Sequence, residues 1–118
     1  MKDIKMDRDK GDVSIKINIS GLVGWKFAFA TTDNDKPFSE KSSQTDKNEF
    51  KYLLGSPEDL FLDNNNWDFV LVNTGEEKQE YELKIQWLQK DIEIDVWKDS
   101  GELDVNGIVE KPGNARLI

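Results

Sequence analysis

YELKIQWLQKDIEIDVWK, residues 81–98, decides the fold, because it can be written as one helix or as two strands. Glu, Lys, Gln and Leu favour helix, and Tyr81, Ile85, Leu88 and Ile92 would line a single helical stripe. Yet Tyr81, Leu83, Ile85 and Trp87 alternate strictly with Glu82, Lys84 and Gln86, which is the period of a half-buried strand. The alternation predicts strand. Beyond Trp87 the apolar row moves to even positions, at Ile92, Ile94 and Val96. A continuous strand keeps one parity, so a turn or bulge is expected within Leu88 to Asp91. Trp87 and Trp97 then belong to different strands. Trp97, in step with Glu93 and Asp95, is expected on the non-core face of its own.

Outward from this stretch the same period recurs. VSIKINIS sets Val13, Ile15, Ile17 and Ile19 against Ser14, Lys16, Asn18 and Ser20, four β-branched residues on one face. GLVG is a turn or bulge, and WKFAFATT points Trp25, Phe27 and Phe29 inward. Residues 33–48 are polar and predict a long loop with room for a short edge strand, after which NEFKYLL alternates through Phe50, Tyr52 and Leu54. In SPEDLFL, Ser56 is placed to cap, Pro57 opens and Glu58 and Asp59 fill the first turn of a short helix near 56–62. WDFVLV is apolar at both parities and predicts a strand buried on both sides. Asn106-Gly107 is the strongest hairpin signal, and Pro112-Gly113 is expected to separate IVE from a short final ARLI strand.

About seven or eight short strands at this spacing predict an all-β antiparallel β-sandwich, immunoglobulin-like or jelly-roll-like, with a barrel as second choice. Tyr81-x-Leu83-x-Ile85-x-Trp87 after a Gly-containing turn resembles the penultimate strands of many such sandwiches, a resemblance that carries no functional residue with it. Residues 1–11, charged and without period, are expected to be a flexible lead-in, and 12–118 a single domain.

Composition excludes more than it assigns. The 118 residues include no cysteine and no histidine, which removes disulfides, thiolate nucleophiles, Cys/His zinc sites and Ser-His-Asp triads. Sixteen basic against 24 acidic residues leave a net charge of −8, which repels phosphate backbones and disfavours nucleic acid. That charge serves solubility, and it complements a basic partner. Arg8 and Arg116 are the only arginines. The opening MKDIKMDRDKGD lacks an apolar signal region, so no signal peptide is expected and a cytoplasmic setting is favoured.

The candidate sites are correspondingly few. Trp97 with Glu93 and Asp95, and Trp67 beside Asn65, offer indoles next to carboxylates and amides, the residue types that stack on sugar rings and bond their hydroxyls. Against this stands the ordinary fate of tryptophan, which is burial. Asp33, Asp35, Asp63 and Asp68 are weak calcium candidates, because their spacing fits ordinary turns and lacks the EF-hand glutamate. GLVGWKFAFA, with one charge in ten residues, is the one segment that could meet lipid, and a buried strand explains it equally. No nucleophile elbow, phosphate loop or dinucleotide motif is present, so neither an enzyme nor a cofactor is expected. The function expected is a non-catalytic module engaging a protein partner of inhibitor, immunity, adaptor or accessory-subunit type. A carbohydrate-binding module and a membrane-active toxin component are the alternatives.

Overall fold

The computed structural model describes residues 2–31, 37–61 and 64–118, and for residues 64–65 the backbone alone. Alternation becomes layering. Val13–Ser20 (β2), Glu49–Gly55 (β5), Gln79–Gln89 (β7) and Ile92–Leu103 (β8) form one sheet, in the order β5-β2-β7-β8. Lys2–Ile4 (β1), Trp25–Thr31 (β3), Phe38–Lys41 (β4), Asn64–Asn73 (β6) and Ile108–Leu117 (β9) form the other, in the order β1-β9-β6-β3-β4. The two sheets pack face to face as an all-β sandwich, with one 3-10 turn at Ser42–Gln44 and one helical turn, α1, at Pro57–Leu60. Ser56 accepts from the Asp59 amide at 3.3 Å, with Pro57 opening α1, as the sequence predicted.

The core is what the odd-numbered rows predicted. Val13, Ile15, Ile17 and Ile19 of β2 are sealed, and facing them are Trp25, Phe27 and Phe29 of β3 with Phe69 and Leu71 of β6. Each such side chain contributes roughly 1.5–3 kcal/mol by leaving water. Tyr81, Leu83, Ile85 and Trp87 are buried on β7, so residues 79–89 are strand and not helix. The turn predicted after Leu88 is at Lys90 and Asp91, both with positive φ, of 50° and 61°.

Four expectations are corrected. Within the predicted flexible lead-in, residues 1–11, residues 2–6 are part of the fold: β1 pairs parallel with β9, and Ile4 and Met6 are buried. Gln89, itself buried, holds the segment behind them, accepting from the Asp7 amide at 2.9 Å and donating to the Asp7 and Gly11 carbonyls at 2.5 and 2.8 Å. Asn106-Gly107 does turn the chain, but β8 and β9 lie in different sheets, so the turn crosses between layers and makes no hairpin. Pro112-Gly113 does not divide the last strand, which runs unbroken from Ile108 to Leu117. The outward valines of WDFVLV, Val70 and Val72, are half-buried only, because among the described residues no third layer covers their side of the sheet.

At two positions a glycine lets a neighbouring group come closer than any side chain would allow. A Cβ on Gly21, whose φ is +93°, would lie 2.3 Å from the Glu80 carbonyl oxygen. A Cβ on Gly113 would lie 1.9 Å from Cε2 of Trp67, whose indole lies across β9 where that glycine leaves room.

Candidate functional site

The inward parity changes twice between Tyr81 and Leu103, once at the turn and once within β8, and the second change decides where Trp97 points. Residues facing one another across an antiparallel pair share a face. Ile85 is opposite Trp97, and Trp87 is opposite Asp95, while Leu88 is opposite Glu93. Ile94 is therefore the extra residue of a β-bulge. Before the bulge Ile92 and Ile94 lie on the side of Gln89; after it Asp95, Trp97 and Asp99 take the core side. The expectation that Trp97 lies on the non-core face is corrected: it faces inward at the sheet's edge, half-buried against the core. Glu93 stays on the outer face, accepting from Gln86 at 2.9 Å, and so leaves the group it was placed in.

Trp97 and Trp67, proposed as separate candidates, meet. They belong to opposite sheets, and their rings pack edge to face with centroids 5.2 Å apart and planes at 74°. Trp67 also touches Trp87, at 5.9 Å and 58°. Beside them Asp95 pairs with the Lys2 ammonium at 2.9 Å, its side chain 19% exposed against 57% for the lysine. Together with Ile4, Gly113, Asn114 and Ala115 these residues line a cleft of about 130 Å³ in the lateral seam between β8 and β1–β9. The backbone of Asn65 pairs with Ala115, next to this cleft; its side chain lies outside the described residues. Farther along the seam Tyr81 donates to Asp99 at 2.8 Å, and Lys111 pairs with Asp99 at 3.6 Å. Burial, and then the bond to Asp99, pushes the Tyr81 phenol up to about 12.

A second surface lies on the outside of the five-stranded sheet. Its register sets Ile108, Val72, Lys26 and Lys41 in one row, Glu110, Val70, Ala28 and Ser39 in the next, and Pro112, Asp68 and Ala30 in a third. Valine, isoleucine and alanine thus occupy the centre of a face that an antiparallel sheet normally gives to polar residues. Ile108 is 64% exposed, and a shallow depression of about 280 Å³ includes Ala28, Val70 and Val72. In the third row Oδ1 of Asp68 is buried with no hydrogen-bond partner among the described residues. Leaving such an atom unmet costs about 1–3 kcal/mol. The outside of the four-stranded sheet is polar instead: hollows of about 530 and 400 Å³ share Ser20, Glu82 and Ser100.

Of the calcium candidates, Asp33, Asp35 and Asp63 lie outside the described residues, and Asp68 is on the outer sheet face, one row from Glu110. Among the described residues no three acidic side chains gather as metal ligands would. In GLVGWKFAFA, Trp25, Phe27 and Phe29 are core and Val23 is 80% exposed at the loop tip. Among the described residues no helix is long and apolar enough to cross a membrane. Sequence reasoning missed Lys2, which it had assigned to a lead-in, and the outward row Val70–Val72, which it had buried. The double apolar parity of WDFVLV was the available signal for the latter.

No family model and no curated protein matches the chain. Among solved structures, the chain is similar to a domain of unknown function, DUF4425, from Bacteroides vulgatus ATCC 8482, determined at 1.35 Å resolution. The TM-score is 0.54 at 11% identity, covering 92% of this chain and 98% of that one. At that identity the likeness shows a shared fold alone.

Proposed function

We propose that the protein is a non-catalytic binding module that engages another protein through the outer face of its five-stranded sheet. The observation that carries this is the apolar centre of that face, Val70, Val72, Ala28 and Ile108, with the unmet Asp68 oxygen beside it. Apolar groups ringed by charge are how stable protein contacts are built, and a buried acceptor without a donor is satisfied when a partner brings one. The partner's chemistry follows from the rows: aliphatic side chains over Val70 and Val72, a cationic donor over Asp68 and Glu110, and a carboxylate facing Lys26 and Lys41. A net charge of −8 repels a second copy of the chain and favours a partner of opposite charge.

The test couples capture with reconstitution. Val70→Lys changes a half-exposed position and leaves the core intact, so the fold should survive it. A protein retained by the wild-type chain should be purified and titrated against both. Loss of at least about tenfold in affinity with Val70→Lys, and a smaller loss with Asp68→Asn, is expected. Equal binding by wild type and Val70→Lys would overturn the assignment. A purified wild-type chain that sediments as a dimer, and Val70→Lys as a monomer, would overturn it in favour of self-association.

A further inference from the structure

We infer that the seam cleft is a binding site for a small quaternary ammonium compound, with Lys2 as its built-in competitor. Three observations converge. Trp67 stands between Trp87 and Trp97, with ring planes at 58° and 74° to theirs, so the indoles form walls set at steep angles rather than a flat platform. Asp95 supplies a carboxylate on the same core-side row as Trp97, with its side chain only 19% exposed. A volume of about 130 Å³ remains between them, room for about four water-sized groups at liquid spacing. A trimethylammonium head, one nitrogen bearing three methyls, is of that size.

The ligand class follows from charge and hydration. Angled aromatic walls around a carboxylate attract cations through the ring quadrupoles, and they do so best when the cation is easily desolvated. The cleft already draws an ammonium: Lys2 reaches Asp95 at 2.9 Å from β1. A primary ammonium is compact and strongly hydrated, and Lys2 accordingly keeps 57% of its side chain in solvent at the mouth. A methylated ammonium presents its charge through apolar groups and can give up water to sit against the indoles. Such a ligand displaces the lysine from Asp95. The cleft has room for the head group and little more, and a small free compound brings that group without a peptide chain or bilayer to be accommodated along the seam.

Titration with tetramethylammonium and with choline, read by tryptophan fluorescence against sodium chloride of equal ionic strength, tests the site. Both should saturate the wild-type chain with similar affinity. Asp95→Asn should weaken binding by about tenfold, and Trp97→Ala by at least as much, with Trp97→Phe retaining part of it. Lys2→Ala should tighten binding by about threefold or more, because the competing cation is gone. A purely structural ion pair predicts no such gain, and the result does not depend on Trp97→Ala remaining folded. No saturation by either compound, or weaker binding by Lys2→Ala, would overturn the assignment. Saturation by a trimethyl-lysine peptide or by phosphatidylcholine vesicles with tetramethylammonium inert would overturn it in favour of those surfaces. Val70→Lys, on the opposite face of β6 from Trp67, should leave the titration unchanged whether or not that face binds a protein.

Discussion

The sandwich has two open sides, and it closes them by different physics. Between β4 and β5, Phe38 and Tyr52 stack with centroids 4.3 Å apart and planes within 9°, and the Tyr52 hydroxyl donates to Glu40 at 2.6 Å. Between β8 and β1–β9, Trp97 meets Trp67 edge-on, and two ion pairs, Lys2–Asp95 and Lys111–Asp99, span the gap. The first seam closes by stacking two rings flat against each other. The second leaves a cleft, since indoles at steep angles and charges on flexible stems cannot fill the space between strands. A seam made of flat aromatic contact is structural; one made of angled rings and a half-covered carboxylate has room to bind.

The largest expected effect falls on the open seam. Gly113→Ala would set a methyl 1.9 Å from the Trp67 ring, which could clear it only by breaking its contacts with Trp87 and Trp97. A loss of about 3 kcal/mol in urea unfolding, or failure to fold, is expected. Next comes the stacked seam: Phe38→Ala removes one of its two rings and should cost about 2 kcal/mol, with Tyr52→Phe costing about 1 kcal/mol for the hydroxyl alone. If Phe38→Ala proved nearly neutral, the contrast between the seams would fail.

The tyrosines offer a test of both seams at once. Burial, and then the bond to Glu40, raises Tyr52 far above its ordinary 10.0; the same causes with Asp99 take Tyr81 to about 12. The unfolded chain would release both protons near pH 10 while the folded chain holds them. Their contribution is therefore fully present below about pH 10 and is lost as pH rises towards and through about 12. Phenolate absorbance should appear late and together with unfolding; ionisation near pH 10 in a still-folded chain would contradict the buried hydroxyls. The smallest effect is expected from Lys111→Ala. An exposed lysine paired at 3.6 Å is worth no more than about 1 kcal/mol, and added salt should erase the difference.

Sequence pattern carried the layering because alternation is local. The odd rows of 13–19, 25–29 and 81–87 became the core, and the cap at Ser56 and the turn at Lys90–Asp91 fell where side-chain chemistry placed them. The candidate site was legible only in part. Trp67, Trp97 and Asp95 were singled out, but as two groups with Glu93 included, and Lys2 was absent from both. The bulge at Ile94 is why Glu93 was included: parity counted along β8 cannot reveal an extra residue that shows only against its partner β7.

By itself, then, the sequence determined an all-β chain, its inward residues, and the exclusion of cysteine and histidine chemistry, since each depends on composition or on neighbours two positions apart. Only the tertiary structure decided that β8 and β9 part into different sheets and that Trp97 turns inward to meet Trp67 thirty residues before it. It also decided that the first strand brings a lysine to Asp95 and that Val70 and Val72 face outward uncovered. Those contacts join residues far apart in the chain. Their energies depend on which sheet lies opposite, a relation that no local period encodes.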